Sequence, residues 1–169
     1  MLANISILSV SAALASLASA GRVIVANNCD YEVSVWAVGQ VQSPVTHVGH
    51  GESFSEELHR DPVSGGRDIK IARKPHPGNT NPLSGAHLQL AYNVSPDGNR
   101  PLDTDSGSLN YDLNAIFNTP FPNSRVTLKS TGCPHILWET GVKPQNSGGQ
   151  ACKGIGHDLT LTLCAPAES

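Results

Sequence analysis

The chain has 169 residues and a formal net charge of −3, with 14 acidic side chains against 11 Lys and Arg that are scattered rather than massed. No basic run is present to track a phosphate backbone, so nucleic acid is not an expected partner. Residues 21–169 suffice for one domain with a core of its own, without metal or oligomerisation, and a monomer is expected.

In chain order the first element is an uncharged leader. Residues 1–20 hold an apolar stretch at 5–17 and end on the small residues Ala18, Ser19 and Ala20, the pattern of a secretory signal peptide cut after Ala20. The stretch is too short and too rich in Ser and Ala for a membrane span, which takes about 20 mainly apolar residues. The C-terminal LTLCAPAES has no hydrophobic tail for a lipid anchor. The expected product is a single secreted, soluble domain over 21–169, outside the membrane.

From residue 21 alternation with period two recurs. GRVIVANNC (21–29) is a β-branched run ending on Cys29. Tyr31, Val33, Val35 and Ala37 then share one face, with Glu32, Ser34 and Trp36 on the other. Ile69 and Ile71 alternate with Asp68 and Lys70, and Leu88, Leu90, Tyr92 and Val94 with Gln89, Ala91 and Asn93. Val126 and Leu128 alternate with Arg125, Thr127 and Lys129, and Leu159, Leu161 and Leu163 with Thr160 and Thr162. Each run has one apolar and one polar face, as in antiparallel sheets packed over a shared core. Residues 61–66, 75–85, 95–107, 118–123 and 140–156 hold most of the Gly and Pro and read as loops. YDLNAIF (111–117) is expected to make at most one or two helical turns. The fold class is all-β, an antiparallel β-sandwich with long loops.

Cys29, Cys133, Cys152 and Cys164 are an even count in an exported chain, so two disulfides are expected. Three connectivities are possible. The opening run and the closing DLTLTLC (158–164) both end on a cysteine, and two such strands side by side bring Cys29 to Cys164. Cys133 and Cys152 are then left to close a Gly/Pro/Asn-rich loop. On the chain-entropy model the second bridge contributes about 3 kcal/mol and the first somewhat more. A zinc site would want C-x-x-C pairs, which the sequence lacks. No cofactor is expected.

Three stretches resemble the thaumatin family: VIVANNCDYEVSVW (23–36) its opening strand and N-N-C corner, GESF (51–54) its G-x-S-aromatic step, and GRDIKIAR (66–73) its G-R-I-W-A-R strand. LQLAYNV and LNYDLNAIFNTPF match more loosely. Beyond Phe121 only the closing strand and its cysteine are matched. The short chain, sparse cysteines and LNYDLNAIF are most similar to the antigenic thaumatin-like secreted proteins of fungi, whose first member was noted as a yeast-phase-specific antigen. The resemblance implies a thaumatin-like sandwich resident outside the cell or in the cell wall, and implies no reaction.

Plant thaumatin-like proteins carry a cleft of one Arg and several carboxylates tied to β-1,3-glucan binding and sometimes weak cleavage. Carried over by position, Arg73 matches the cleft arginine and Asp112 one aspartate. The cleft glutamate falls within 88–91, which offers Gln89 and no acid, and the V-D-G step of another aspartate is missing where Ile116 runs into Phe117. Glycoside hydrolysis needs two carboxyl groups about 5–5.5 Å or about 6.5–9.5 Å apart. With one matched, no enzyme is expected. Arg73, Asp112 and Gln89 are instead candidate ligand-binding residues, the competing reading being a surface ion pair or solvated strand ends.

The remaining candidates read as structure. His47, His50 and His59 suit exposed loop and strand-edge positions better than a metal site. Asp103, Asp105 and Gly107 suit a capped turn better than a Ca²⁺ loop. Trp36 and Trp138 are expected to pack. The Asn93-Val94-Ser95 sequon lies in a strand before Pro96 and is expected to stay empty. The expected function is binding, without catalysis, to a cell-wall glycan such as β-glucan or to a host or competitor surface. A weak β-1,3-glucanase and a protein-interaction module or enzyme inhibitor, using the loops at 75–85 and 140–156, are the alternatives.

Overall fold

A strand sends successive side chains to opposite faces, so each alternating run buries its apolar set only when a second layer covers that face. The computed structural model of the chain describes residues 20–74, 82–96 and 107–167. All but the last residue of the leader, and the acidic turn at Asp103 and Asp105, lie outside the described residues. Among those described, the strands are β1 (Arg22–Asn27), β2 (Val33–Val38), β3 (Thr46–Val48), β4 (Ser53–Glu57), β5 (Gly66–Arg73), β6 (His87–Ser95), β7 (Ser108–Ile116), β8 (Val126–Ser130), β9 (Ile136–Trp138), β10 (Gln150–Lys153) and β11 (Leu159–Leu163). One short 3₁₀ turn, Pro82–Ser84, precedes β6.

The strands form two sheets, a five-stranded one in the order β4-β1-β11-β8-β9 and a six-stranded one in the order β10-β7-β6-β5-β2-β3. The core lies between them. Val23, Val25, Leu128, Trp138, Leu159 and Leu161 from the first sheet meet Val33, Val35, Ile69, Ile71, Leu90 and Leu113 from the second, all buried. The all-β sandwich therefore stands, with three local differences.

Residues 111–117 are not a helical turn. Leu109, Tyr111 and Leu113 alternate with Asn110, Asp112 and Asn114 along β7, whose register with β6 runs from His87↔Ile116 to Ser95↔Ser108. Asn and Asp weaken the segment's own strand preference, and pairing on both edges overrides it. The second edge is supplied by β10, a strand inside the stretch 140–156 that reads as loop.

The pairing of β1 with β11 is parallel, from Val23↔Leu159 to Asn27↔Leu163, while the other sheet neighbours are antiparallel. Parallel neighbours need a long crossover. Here nearly the whole domain is that crossover, so both runs exit at the same end and their cysteines arrive together. Cys29 and Cys164 are disulfide-bonded with Cα atoms 5.0 Å apart, and Cys133 is bonded to Cys152. Asn27, fully buried, shapes the corner: its amide donates to the carbonyls of Tyr31 and Val48 at 2.8 and 3.0 Å and accepts the Cys29 N–H at 3.1 Å.

At the opposite end the sheets are tied by charge. Arg67 of β5 donates in a fork to both oxygens of Glu56 on β4, at 2.8 and 2.9 Å, and the Tyr92 hydroxyl of β6 donates to the same carboxylate at 3.0 Å. Burial, then the adjacent Glu56 charge, pushes the Tyr92 phenol far above its ordinary value. The hydrogen bond to Glu56 raises Arg67 in turn.

Candidate functional site

The six-stranded sheet turns its polar face outward, and that face carries an unusual composition. Alternation that sends Ile69, Leu90 and Leu113 to the core sends Asp68, Lys70, Gln89, Asn93, Asn110, Asp112 and Asn114 the other way. Asn and Asp are depleted in strands because their side chains compete for the backbone and favour turns. Five of them nevertheless occupy outward positions on three adjacent strands. Such local misfits mark places where a side chain's chemistry outweighs its conformational cost.

The register lays these residues out as rungs. Asn93 faces Asn110, Ala91 lies between Asp68 and Asp112, and Gln89 lies between Lys70 and Asn114. A depression of about 640 Å³ opens over the first two rungs, with Gly66, Ala91, Gly149 and Ala151 as its low floor and Asp68, Asn93, Asn110 and Asp112 standing around them. Its wall at the exit of β2 is held by Asp61, whose carboxylate accepts the backbone N–H groups of Gln40, Val63 and Ser64 at 2.8–3.0 Å. Those bonds, that from Gln40 first, hold the Asp61 carboxyl well below its ordinary range. Gly39 is required there, since a Cβ would lie 2.3 Å from Asp61 Oδ2.

Both carboxylate oxygens of Asp112 are engaged. Its Oδ1 accepts the Leu113 N–H at 2.8 Å and lies 3.7 Å from Lys143 Nζ, and its Oδ2 accepts from Asn114 at 2.9 Å. Lys143 also donates to Asn114 Oδ1 at 2.6 Å. Around the depression Asp68 and Asp112 are set against Lys70 and Lys143, and Lys153 of β10 stands at the edge of the same face. Among the described residues, neither the Gln89 nor the Asn110 side chain has a hydrogen-bond partner, so both present free carboxamides.

Of the sequence-derived candidates, Gln89 and Asp112 are therefore diagonal neighbours on one face. Arg73 does not join them. It falls on the core side of β5 with Ile69 and Ile71, about 17 Å along the strand from Asp68 by strand rise. Its guanidinium lies 3.8 Å from the centroid of Tyr31, which stacks on buried Phe121. Arg73 thus caps the disulfide end of the sandwich through a cation–π contact. Asp68, Asn93, Asn110 and Asn114 share this face without matching a family position, although alternation places Asp68 and Asn93 outward. Their sequence signal is the surplus of Asx residues in strands.

The other candidates take structural positions. Trp36 is buried although it points outward, against His87 at 5.7 Å, and Trp138 is fully buried in the core. The three histidines find separate partners: His47 beside Glu32 and Ser34, His50 on the Cys29 carbonyl and His59 on the Glu57 carbonyl. Asn93 donates to the Gly65 carbonyl at 2.6 Å and accepts the Ser95 hydroxyl at 2.6 Å. A glycan on that nitrogen would remove one of its two N–H groups and occupy the depression that Asn93 lines. Protein exported from a glycosylating host should thus show the same intact mass at this sequon before and after endoglycosidase treatment, and a glycopeptide carrying Asn93 would refute this.

The protein elicitor MoHrip2 from Magnaporthe oryzae superposes with a TM-score of 0.64 at 23% sequence identity, covering 86% of this chain and 100% of that one. The thaumatin-like xylanase inhibitor TLXI is more distant, with a TM-score of 0.49 and 13% identity over 85% of this chain and 99% of that one. No match is found among curated proteins. The sandwich is the thaumatin-like fold that the opening motifs imply. The Bys1 family, described as Blastomyces yeast-phase-specific protein, matches residues 10–165, and this chain belongs to it.

Proposed function

We propose that the protein is a secreted, non-enzymatic binder of a neutral cell-wall glycan, which it holds on the outward face of the six-stranded sheet. The observation that carries this reading is the concentration of Asn, Asp and Gln on β5, β6 and β7 around a low Gly/Ala floor. Carboxamides donate and accept at once, as sugar hydroxyls do, and fixed strands hold them in place before the ligand arrives. Mixed charges of both signs, with no basic run, suit a neutral polymer better than a polyanion. Two disulfides and the apolar leader support residence outside the cell.

Oxidised protein collected from the medium of expressing cells should co-sediment with insoluble β-1,3-glucan or chitin and release no sugar from laminarin. Ala91→Arg, which fills the depression from a solvent-facing position, should weaken binding at least about tenfold with melting unchanged. Asp68 and Asp112 flank Ala91 on strands about 5 Å to either side, so their separation is the geometry to watch. Sugar release abolished by Asp68→Asn or Asp112→Asn would replace this reading with a glucanase. Failure to sediment with any neutral polysaccharide would remove it.

A further inference from the structure

Phe117 follows β7 directly, and among the described residues it is the one aromatic side chain that is mostly exposed, at 77%. A Phe in solvent gains little from burial, and this one also carries backbone strain. Its φ is 57° and that of Asn118 is 120°, both in territory that L residues enter at a cost. The loop is nonetheless pinned. Pro120 and Phe121 are buried, the Thr119 N–H closes on Asn118 Oδ1 at 2.8 Å, and the Asn123 N–H bonds the Thr140 carbonyl at 2.9 Å. The ring meets His87 edge-on at 6.2 Å. His87 is itself buried, fixed by Trp36 and by its Nδ1 contact with the Gly85 carbonyl. His87 projects to the same side as Gln89, so the ring stands at the end of the amide-bearing face.

We propose that Phe117 is a stacking platform that extends this face, making its occupant a linear glycan of several sugar units lying along β6 and β7. This rests on the reading of the face as a glycan site. From the Asn93/Asn110 rung to Phe117 is seven residues of β7 and its exit, about 23 Å by strand rise. That span is too long for a mono- or disaccharide. Along it the chemistry changes: carboxamides and a carboxylate serve hydroxyl groups at one end, and an open ring serves the apolar C–H face of an equatorially substituted sugar at the other. A compact or branched ligand would engage one end and leave the other unused. The pinned loop holds the platform in place before binding.

The test is a length series of neutral β-linked gluco- and chito-oligosaccharides titrated against the oxidised protein and its Phe117→Ala and Phe117→Trp variants. Wild-type affinity should climb with chain length until the ligand spans both ends. Phe117→Ala should remove that climb, lowering affinity for the longest oligomers about tenfold, the scale of one lost aromatic contact, while leaving the shortest unchanged. Phe117→Trp should restore it. If Phe117→Ala binds long chains as wild type does while Ala91→Arg abolishes binding, the platform is refuted and the face remains a glycan site. If no oligomer binds wild type, both readings fall.

Discussion

The double variant Cys29→Ala/Cys164→Ala is expected to melt about 15 °C below the wild type, the largest stability effect in the molecule. The bridge spans a sequence separation of 135 residues, and on the chain-entropy model a loop of that length contributes about 5 kcal/mol. For a domain of this size each kcal/mol moves the midpoint by about 2–4 °C. The location adds to the length. The parallel β1–β11 ladder joins the two ends of the domain, and its last pair, Asn27↔Leu163, stands two residues before Cys29 and one before Cys164. By contrast, Cys133→Ala/Cys152→Ala opens a separation of 19 residues and is expected to cost about 3 kcal/mol. Circular dichroism melts of both variants, kept oxidised, check the order. A larger loss for the second pair would mean that the sandwich is closed elsewhere.

The second large effect is expected from Arg67→Ala, which should destabilise the protein by about 3 kcal/mol. Arg67 and Glu56 retain only 13% and 18% side-chain exposure, so removing the guanidinium strands a carboxylate between the sheets. The low end of the range for broken buried pairs applies because a little solvent still reaches both. Replacing the whole cluster, as Glu56→Leu/Arg67→Met/Tyr92→Phe, should recover most of that loss, since the desolvation cost disappears with the charges. Chemical denaturation at neutral pH measures both, and a triple variant no more stable than Arg67→Ala would show that the clamp adds more than it costs to desolvate.

The clamp also makes stability depend on alkaline pH. The Tyr92 phenol is raised in the folded protein, so its contribution is complete below the ordinary tyrosine value, about 10, and declines as pH rises beyond it. Tyr111, raised by burial while its hydroxyl donates to the Pro134 carbonyl, acts in the same direction. Tyr92→Phe should flatten the fall in stability above about pH 10.

Leu88, Leu90, Tyr92 and Val94 show why much of this fold is legible before any coordinates. Period two follows from the geometry of a single extended backbone, so which side chains share a face is a local property. The same rule reads Asn110, Asp112 and Asn114 against Leu109, Tyr111 and Leu113, yet that alternation was masked by residues with poor strand preference. Only pairing with β6 and β10 makes the segment a strand. The three short strands β3, β9 and β10 are legible only through their partners for the same reason.

The candidate site divides along the same line. Asp112 matches a family position and Gln89 only falls in the stretch where the family has its glutamate, and the two share a face, whereas Arg73, which also matches, lies across the sheet against Tyr31. A one-dimensional match carries no face, and one residue of register moves a side chain from solvent to core.

By itself, then, the sequence determined the strands' inner and outer faces, the even set of cysteines and the export-type leader, because each depends on neighbours a few residues apart or on composition. Tertiary structure alone decided that the first and last strands run parallel, that five Asx residues converge on one sheet face, and that Phe117 stands at its end. Those outcomes depend on which distant strands become neighbours and in what register. That choice is made by loop closure and by burial summed over the whole core, and no single segment encodes it.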